Sequence, residues 1–179
     1  MCLTAREFIS YRNRAKRDYI ARQYIAFCET KYIAIRRKTM QVKFYNNIED
    51  EKLLFAVILT KHKNKWVFCK HKNRDTYEIP GGHREKAETI LETAKRELYE
   101  ETGAIKYEIT PITVYSVIDG DTETFGKLYF AEVQEFEEEL HSEIELIKLF
   151  DDMPENLTYP LIQPKLMEAY QQLSLPQGK

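Results

Sequence analysis

Residues Gly82 to Ala104 read GHREKAETILETAKRELYEETGA, and the order of glycines, acids and one arginine in this stretch decides how the chain is read. Gly82 is followed after five residues by Glu88. Seven residues later come Arg96-Glu97-Leu98, then Glu100-Glu101 and Gly103-Ala104. The middle of the stretch predicts an α-helix. Thr89 with Glu92 makes a capping-box pattern at its start, and Gly103 stands where a left-handed C-terminal residue is wanted. Ile90, Leu91, Ala94 and Leu98 supply an apolar face. With about 100° of turn per residue, Glu97, Glu100 and Glu101 fall within an arc of roughly 100° on another side of the cylinder. Like charges at that spacing repel by about 0.2–0.5 kcal/mol per pair, so the cluster opposes folding unless something positive sits among it. Carboxylate oxygens are the hard ligands that Mg²⁺ and Mn²⁺ prefer. Arg96 is placed to pair with Glu92 and Glu100 and so to hold the acidic face. A solvated, salt-bridged helix face would account for three Glu alone. It does not account for the glycines, Glu88 and the Arg-Glu pair falling in register with them.

Outward from this helix the chain reads as short strands. Tyr77 to Ile79 is a strand that enters a Pro80-Gly81-Gly82 turn. Before it, Gln41–Tyr45, Leu53–Thr60 (LLFAVILT) and Lys65–Lys70 (KWVFCK) are strand candidates, the last two joined by a turn at His62-Lys63-Asn64. After it, Ile105–Ile118 is a long strand bent at Pro111, Asp119-Gly120-Asp121 is a turn, and Thr124–Gln134 returns. Glu145–Phe150 is a last strand. Pro160–Leu173 is an amphipathic helix with Pro160 near its first turn and Leu161, Ile162, Leu166, Tyr170 and Leu173 on the inner side. Strands flanking two helices predict an α/β fold with a mixed sheet between helical layers.

Composition suits a small enzyme. The 179 residues are 43% hydrophobic, and no apolar run approaches the roughly 20 residues of a membrane span, so no membrane role is expected for the main body. The three cysteines, Cys2, Cys28 and Cys69, lack CxxC or zinc spacing and read as free thiols in a reducing cytoplasm. His62, His71, His83 and His141 form no metal-ligand pattern. Charge is uneven. Residues 1–39 hold ten Lys/Arg and three acids, a formal +7, against −2 for the whole chain, so residues 40–179 carry −9. Two domains of description follow: a basic extension, 1–39, and a main domain, 40–179. Phe8, Tyr11, Ala15 and Tyr19 recur at helical spacing, which fits a basic arm for RNA or an anionic membrane. The other reading, which we favour, is that the segment stands outside the working domain. Translation would then start at Met40, with purine-only codons for Arg36-Arg37-Lys38 serving as a ribosome-binding site.

The spacing G-x5-E-x7-R-E-U-x-E-E-x-G-U, with U a bulky aliphatic residue, is the signature of the Nudix hydrolases, and this chain resembles that family. All seven fixed residues match and Leu98 fills the first U, while the small Ala104 departs at the second. The resemblance implies an α/β/α sandwich, and 40–179 has the length of a minimal domain of this kind. It also implies roles. Glu97, Glu100 and Glu101 would ligate Mg²⁺ or Mn²⁺, joined by the Gly82 carbonyl, with Glu88 and Arg96 orienting them. The general base is Glu97, Glu100 or a loop carboxylate, for which Glu143 stands best placed in Ser142-Glu143-Ile144-Glu145. Alternation sets Glu143 and Glu145 on one face and Ile144 on the other. Lys70, Arg74 and His83 flank the site as candidate phosphate contacts, His83 best placed directly after the double glycine.

Substrate choice lies outside the signature. The SQPWPxPxS motif of NADH-type members is absent, as is that of coenzyme A members. Asp119-Gly120 occupy the region where ADP-ribose members tend to carry a proline. What remains is the MutT-like branch, acting on nucleoside triphosphates such as 8-oxo-dGTP, or the RNA 5′-end pyrophosphohydrolases. MutT has a base-reading Asn just before the last helix's proline. Here Thr158-Tyr159 stand there, with Asn156 nearby. A non-catalytic Nudix-like nucleotide-binding regulator is the alternative of another class, and such modules usually lose signature residues that this chain keeps. The oligomeric state is not encoded in any motif.

Overall fold

Ten residues, LLFAVILTKH, build the central strand β2 (Leu53–His62), and their alternation generates two cores. Side chains on a strand point to opposite faces in turn. Ala56 and Ile58 therefore pack with Ile90, Ala94 and Leu98, while Leu59 packs with Phe68, Leu166 and Met167. The computed structural model describes residues 40–140 and 143–174. The expected extension 1–39, with its basic helix, Cys2 and Cys28, lies outside the described residues, as do His141 and Ser142. Met40–Lys179 is a compact unit by itself.

In chain order the strands are β1 (Gln41–Tyr45), β2, β3 (Lys65–His71), β4 (Tyr77–Glu78) and β5 (Gly81–His83). Then come helix α1 (Ile90–Thr102), β6 (Ala104–Asp119), β7 (Thr122–Phe136), β8 (Ile144–Phe150) and helix α2 (Gln163–Ser174). The strand order is β1-β6-β7-β2-β3-β4, with β5 on β2 and β8 on β3. Only β2 and β7 run parallel, so the sheet is mixed. Alternation carries the two-core division across neighbouring strands: Val114, Tyr129, Ala131 and Val133 face α1, and Tyr115 and Leu128 face α2. The result is the expected α/β/α sandwich.

Local chemistry explains most junctions. Lys63 and Asn64, with φ of 49° and 65°, make the tight hairpin between β2 and β3. Gly120, with φ of 61°, turns β6 into β7. The β6 bend is a register shift between Pro111 and Thr113, where proline has no N–H to give the ladder. Three expectations change. Gly81-Gly82-His83 is a strand and not a turn, because it pairs with Val57, Ala56 and Phe55 of β2. Helix α2 begins at Gln163 and not at Pro160. The Tyr159 carbonyl accepts from both the Ile162 and Gln163 N–H groups, closing a turn first. Leu173 and Leu91 face solvent, at 57% and 39% exposure. Leu173 lies in the last turn of α2, and Leu91 lines up with Lys95 on the outer side of α1.

Candidate active site

Helix α1 is fixed at both ends as its sequence requires. The Thr89 hydroxyl accepts from the Glu92 N–H at 3.2 Å, and the Glu92 carboxylate accepts from the Thr89 N–H at 2.7 Å. Gly103 closes the helix with φ of 71°. Glu92 is thereby committed to the cap, so Arg96 does not pair with it as expected.

Arg96 instead organises the site. Its Nε donates to Glu88 Oε1 at 2.7 Å, and Nη1 donates to Glu97 Oε1 at 2.8 Å and Glu100 Oε2 at 3.0 Å. Its Nη2 donates to the His83 carbonyl at 3.0 Å and to Glu88 Oε2 at 3.1 Å. All five N–H donors of the guanidinium are thus used, in a fan that ties α1 to β5 and to the 84–89 loop. Glu88 also accepts from the Thr93 hydroxyl at 2.8 Å and the Glu85 N–H at 3.0 Å. Arg96 above all holds the Glu88 carboxyl down to about 2. Sequence reasoning placed Glu88 and Arg96 as orienters but missed Thr93 and Arg84. Arg84 clamps the same loop through Asp50 at 2.7 Å and the Glu88 carbonyl at 2.6 Å. Neither belongs to the fixed spacing, so no local signal marked them.

Glu97 lies 9% exposed with its carboxylate against the α-carbon of Gly82. A Cβ on residue 82 would occupy the space of that carboxylate, which is why the strand carries glycine here. Burial pushes the Glu97 carboxyl up, against the pull of Arg96. Glu101 accepts from the Gly81 N–H at 2.9 Å. Burial pushes it up to about 8. The Gly81 N–H opposes that rise, and the charges of Glu97, Glu78 and Glu143 add to it. Glu78, 7% exposed, is a further acid that the sequence reading left out. Its position in β4 puts it beside the site only once the sheet forms.

The other candidates are placed as follows. The His83 ring packs edge-on against Phe55, with centroids 4.4 Å apart. Lys70 Nζ is 2.5 Å from Glu145 and 3.7 Å from Asp75. Arg74 Nη1 donates to Glu78 at 3.0 Å. Glu143 precedes β8, and Ile144 beside it is buried. The acids of α1 do not already converge on a point: among the described residues no three His, Cys, Asp or Glu side chains form a finished metal cage. The donor chemistry nevertheless fits a hard divalent cation. One guanidinium braces the carboxylates of Glu88, Glu97 and Glu100, and the Glu101 carboxyl stands beside them.

Residues 48–135 match the NUDIX domain. The chain is a Nudix hydrolase. The chain is 29% identical over 123 residues to YtkD of Bacillus subtilis (strain 168), provisionally named an 8-oxo-dGTP diphosphatase. That match covers 68% of this chain and 77% of the relative. Among solved structures it resembles a mutant form of the pyrophosphohydrolase BsRppH of Bacillus subtilis. The TM-score is 0.64 at 23% identity, covering 76% of this chain and 92% of that one. A NUDIX hydrolase from Nitrosomonas europaea matches with a TM-score of 0.56 at 19% identity, over 68% and 90% of the two chains. At these identities the structures establish the fold. Nudix hydrolases generally use divalent metals such as Mg²⁺. No described helix of this one is long and apolar enough to cross a membrane.

Proposed function

We propose that this Nudix hydrolase cleaves a phosphoanhydride bond of a nucleoside triphosphate of the 8-oxo-dGTP kind, with Mg²⁺ or Mn²⁺ held by Glu97, Glu100, Glu101 and the Gly82 carbonyl. The observation that carries this reading is the braced carboxylate cluster of α1 facing the glycine strand β5. When bound, the metal would neutralise phosphate charge and lower the pKa of an attacking water. The chain supplies position and direction. Arg96 sets the rotamers of Glu97 and Glu100 before substrate arrives, which avoids reorganisation during the reaction. Glu143, on the loop ahead of β8, takes the proton of the attacking water in this reading. His83, Lys70 and Arg74 supply cationic or polar groups along the approach. The name of the 29%-identical relative favours an oxidised deoxynucleotide as substrate. Pyrophosphate release from 8-oxo-dGTP, dGTP and a 5′-triphosphorylated RNA, each with and without Mg²⁺, tests it. We expect Mg²⁺-dependent release, fastest from 8-oxo-dGTP. Release from the RNA alone would move the substrate to RNA 5′ ends, and no release from any would return the chain to a nucleotide-binding regulator.

A further inference from the structure

His71 ends β3 opposite Ile144, the first residue of β8. It does not belong to the family spacing, and its ring is only 17% exposed. The two ring nitrogens have different partners. Nδ1 faces the backbone N–H of Asn73 at 3.3 Å and so acts as an acceptor. In a neutral ring the proton then sits on Nε2. Nε2 lies 3.4 Å from Glu143 Oε1. The backbone of Glu143 is tied to the same stretch, because its carbonyl accepts from the Lys72 N–H at 2.9 Å. Glu143 is thus held twice by adjacent residues of one strand end, once through its backbone and once facing the imidazole. Its side chain is otherwise 74% exposed, so without a partner it would sample many rotamers. Catalytic hydrogen bonds are often longer in substrate-free structures than in complexes.

We propose that His71 is a positioning residue, whose Nε2–H holds the Glu143 carboxylate in the direction from which it removes a proton from water. This rests on Glu143 being the general base. The arrangement is a base oriented by a third group, built here from the end of β3 and the mouth of β8. His71 itself does not gain or lose a proton in the step.

The test is a double-mutant cycle on the full chain with Mg²⁺. Initial rates are measured on 8-oxo-dGTP, or on 5′-triphosphorylated RNA if that is the better substrate. We expect His71→Ala to lower kcat by about tenfold or more with KM within about twofold, since a misdirected base costs turnover and not binding. His71→Gln, whose side-chain N–H₂ can reach the place of Nε2, should restore kcat to within about threefold of the parent. In a Glu143→Gln background, His71→Ala should add no further loss. If Glu143→Gln leaves kcat unchanged, the general-base assignment fails and the proposal with it. If Glu143→Gln is crippled but His71→Ala is not, the base stands and the positioning role is overturned. Losses that multiply in the double variant also overturn it. If His71→Ala proves misfolded by its thermal midpoint, His71→Gln decides alone: a loss equal to that of Glu143→Gln counts against the proposal.

Discussion

At the scale of single residues, Arg96 braces Glu88, Glu97 and Glu100 beside the Glu101 carboxyl. Glu100 differs from Glu97 in being less buried, and Arg96 is the partner that directs it. Glu100→Gln keeps size and helix propensity but removes a ligand charge. We expect a normally folded protein whose kcat drops by about two orders of magnitude, the scale of losing one electrostatic stabiliser. Steady-state kinetics at saturating Mg²⁺ check this, and activity within about threefold of the parent would remove Glu100 from the metal site. Glu101 yields a pH prediction. Its carboxyl, pushed up to about 8 without metal, is protonated at neutral pH and must lose that proton to serve as a ligand. Mg²⁺ affinity should therefore fall as pH drops below about 8, by up to about tenfold per unit for one proton. For stability the sign follows from proton counting. The native state binds more protons at Glu101 than the unfolded state does between its ordinary carboxyl range and about 8. The metal-free protein should then lose stability as pH rises through that window, and Mg²⁺ should restore it. Glu88, held at about 2, acts in the opposite sense: its contribution is present above the ordinary range and is lost in acid. Thermal midpoints from about pH 2 to 9, with and without Mg²⁺, check both slopes, and a metal-free profile that is flat up to about 8 would contradict the Glu101 assignment.

At the scale of elements, the meeting of β5 and α1 separates stability from activity at two adjacent glycines. A Cβ on Gly81 would press on backbone, the Ala56 carbonyl and Val57 Cα of β2, which cannot yield cheaply. A Cβ on Gly82 would press on the Glu97 carboxylate, the far end of a flexible side chain. Gly81→Ala should thus destabilise the fold by about 1–3 kcal/mol, as overpacking does. Gly82→Ala should fold with a nearly unchanged thermal midpoint yet lose at least about tenfold in kcat, because Glu97 is displaced from its braced position. Chemical denaturation and kinetics on the pair make the comparison. Equal stability losses for both would show that Glu97 is as rigid as backbone. The capping box, the C-terminal glycine and the hairpin at Lys63-Asn64 were legible in sequence, since each depends on residues a few positions apart. Strand β5 was not. Nothing in Pro-Gly-Gly-His has strand propensity, and the segment is a strand only because β2 offers it an edge. The start of α2 was misplaced for a similar reason: Pro160 suits a first helical turn, but the backbone there is spent on the Tyr159 carbonyl.

At the scale of the molecule, the two cores, helix α1 and the strands that lead into it all lie between Met40 and Ser174 among the described residues. We expect a chain starting at Met40 to fold and to keep kcat/KM on a free nucleotide. If residues 1–39 instead serve as an RNA-binding arm, their removal should selectively weaken hydrolysis of 5′-triphosphorylated RNA, most at low salt. Aggregation or a steep fall in the thermal midpoint would show that the boundary is misplaced.

The sequence by itself determined the family, helix α1 with its caps, the identity of the acidic cluster and the mixed α/β plan. These follow from spacing along one helix and from alternation along strands, both of which are local periodicities. Only the tertiary structure decided that Arg96 spends all five donors on β5, the loop and α1, that Glu97 needs a glycine on strand β5, and that Glu78 stands beside the site. It also brought His71 to Glu143, across 72 positions of chain. Such contacts depend on strand order and register, which no short stretch encodes, because they are fixed only when both faces of the sheet are buried together.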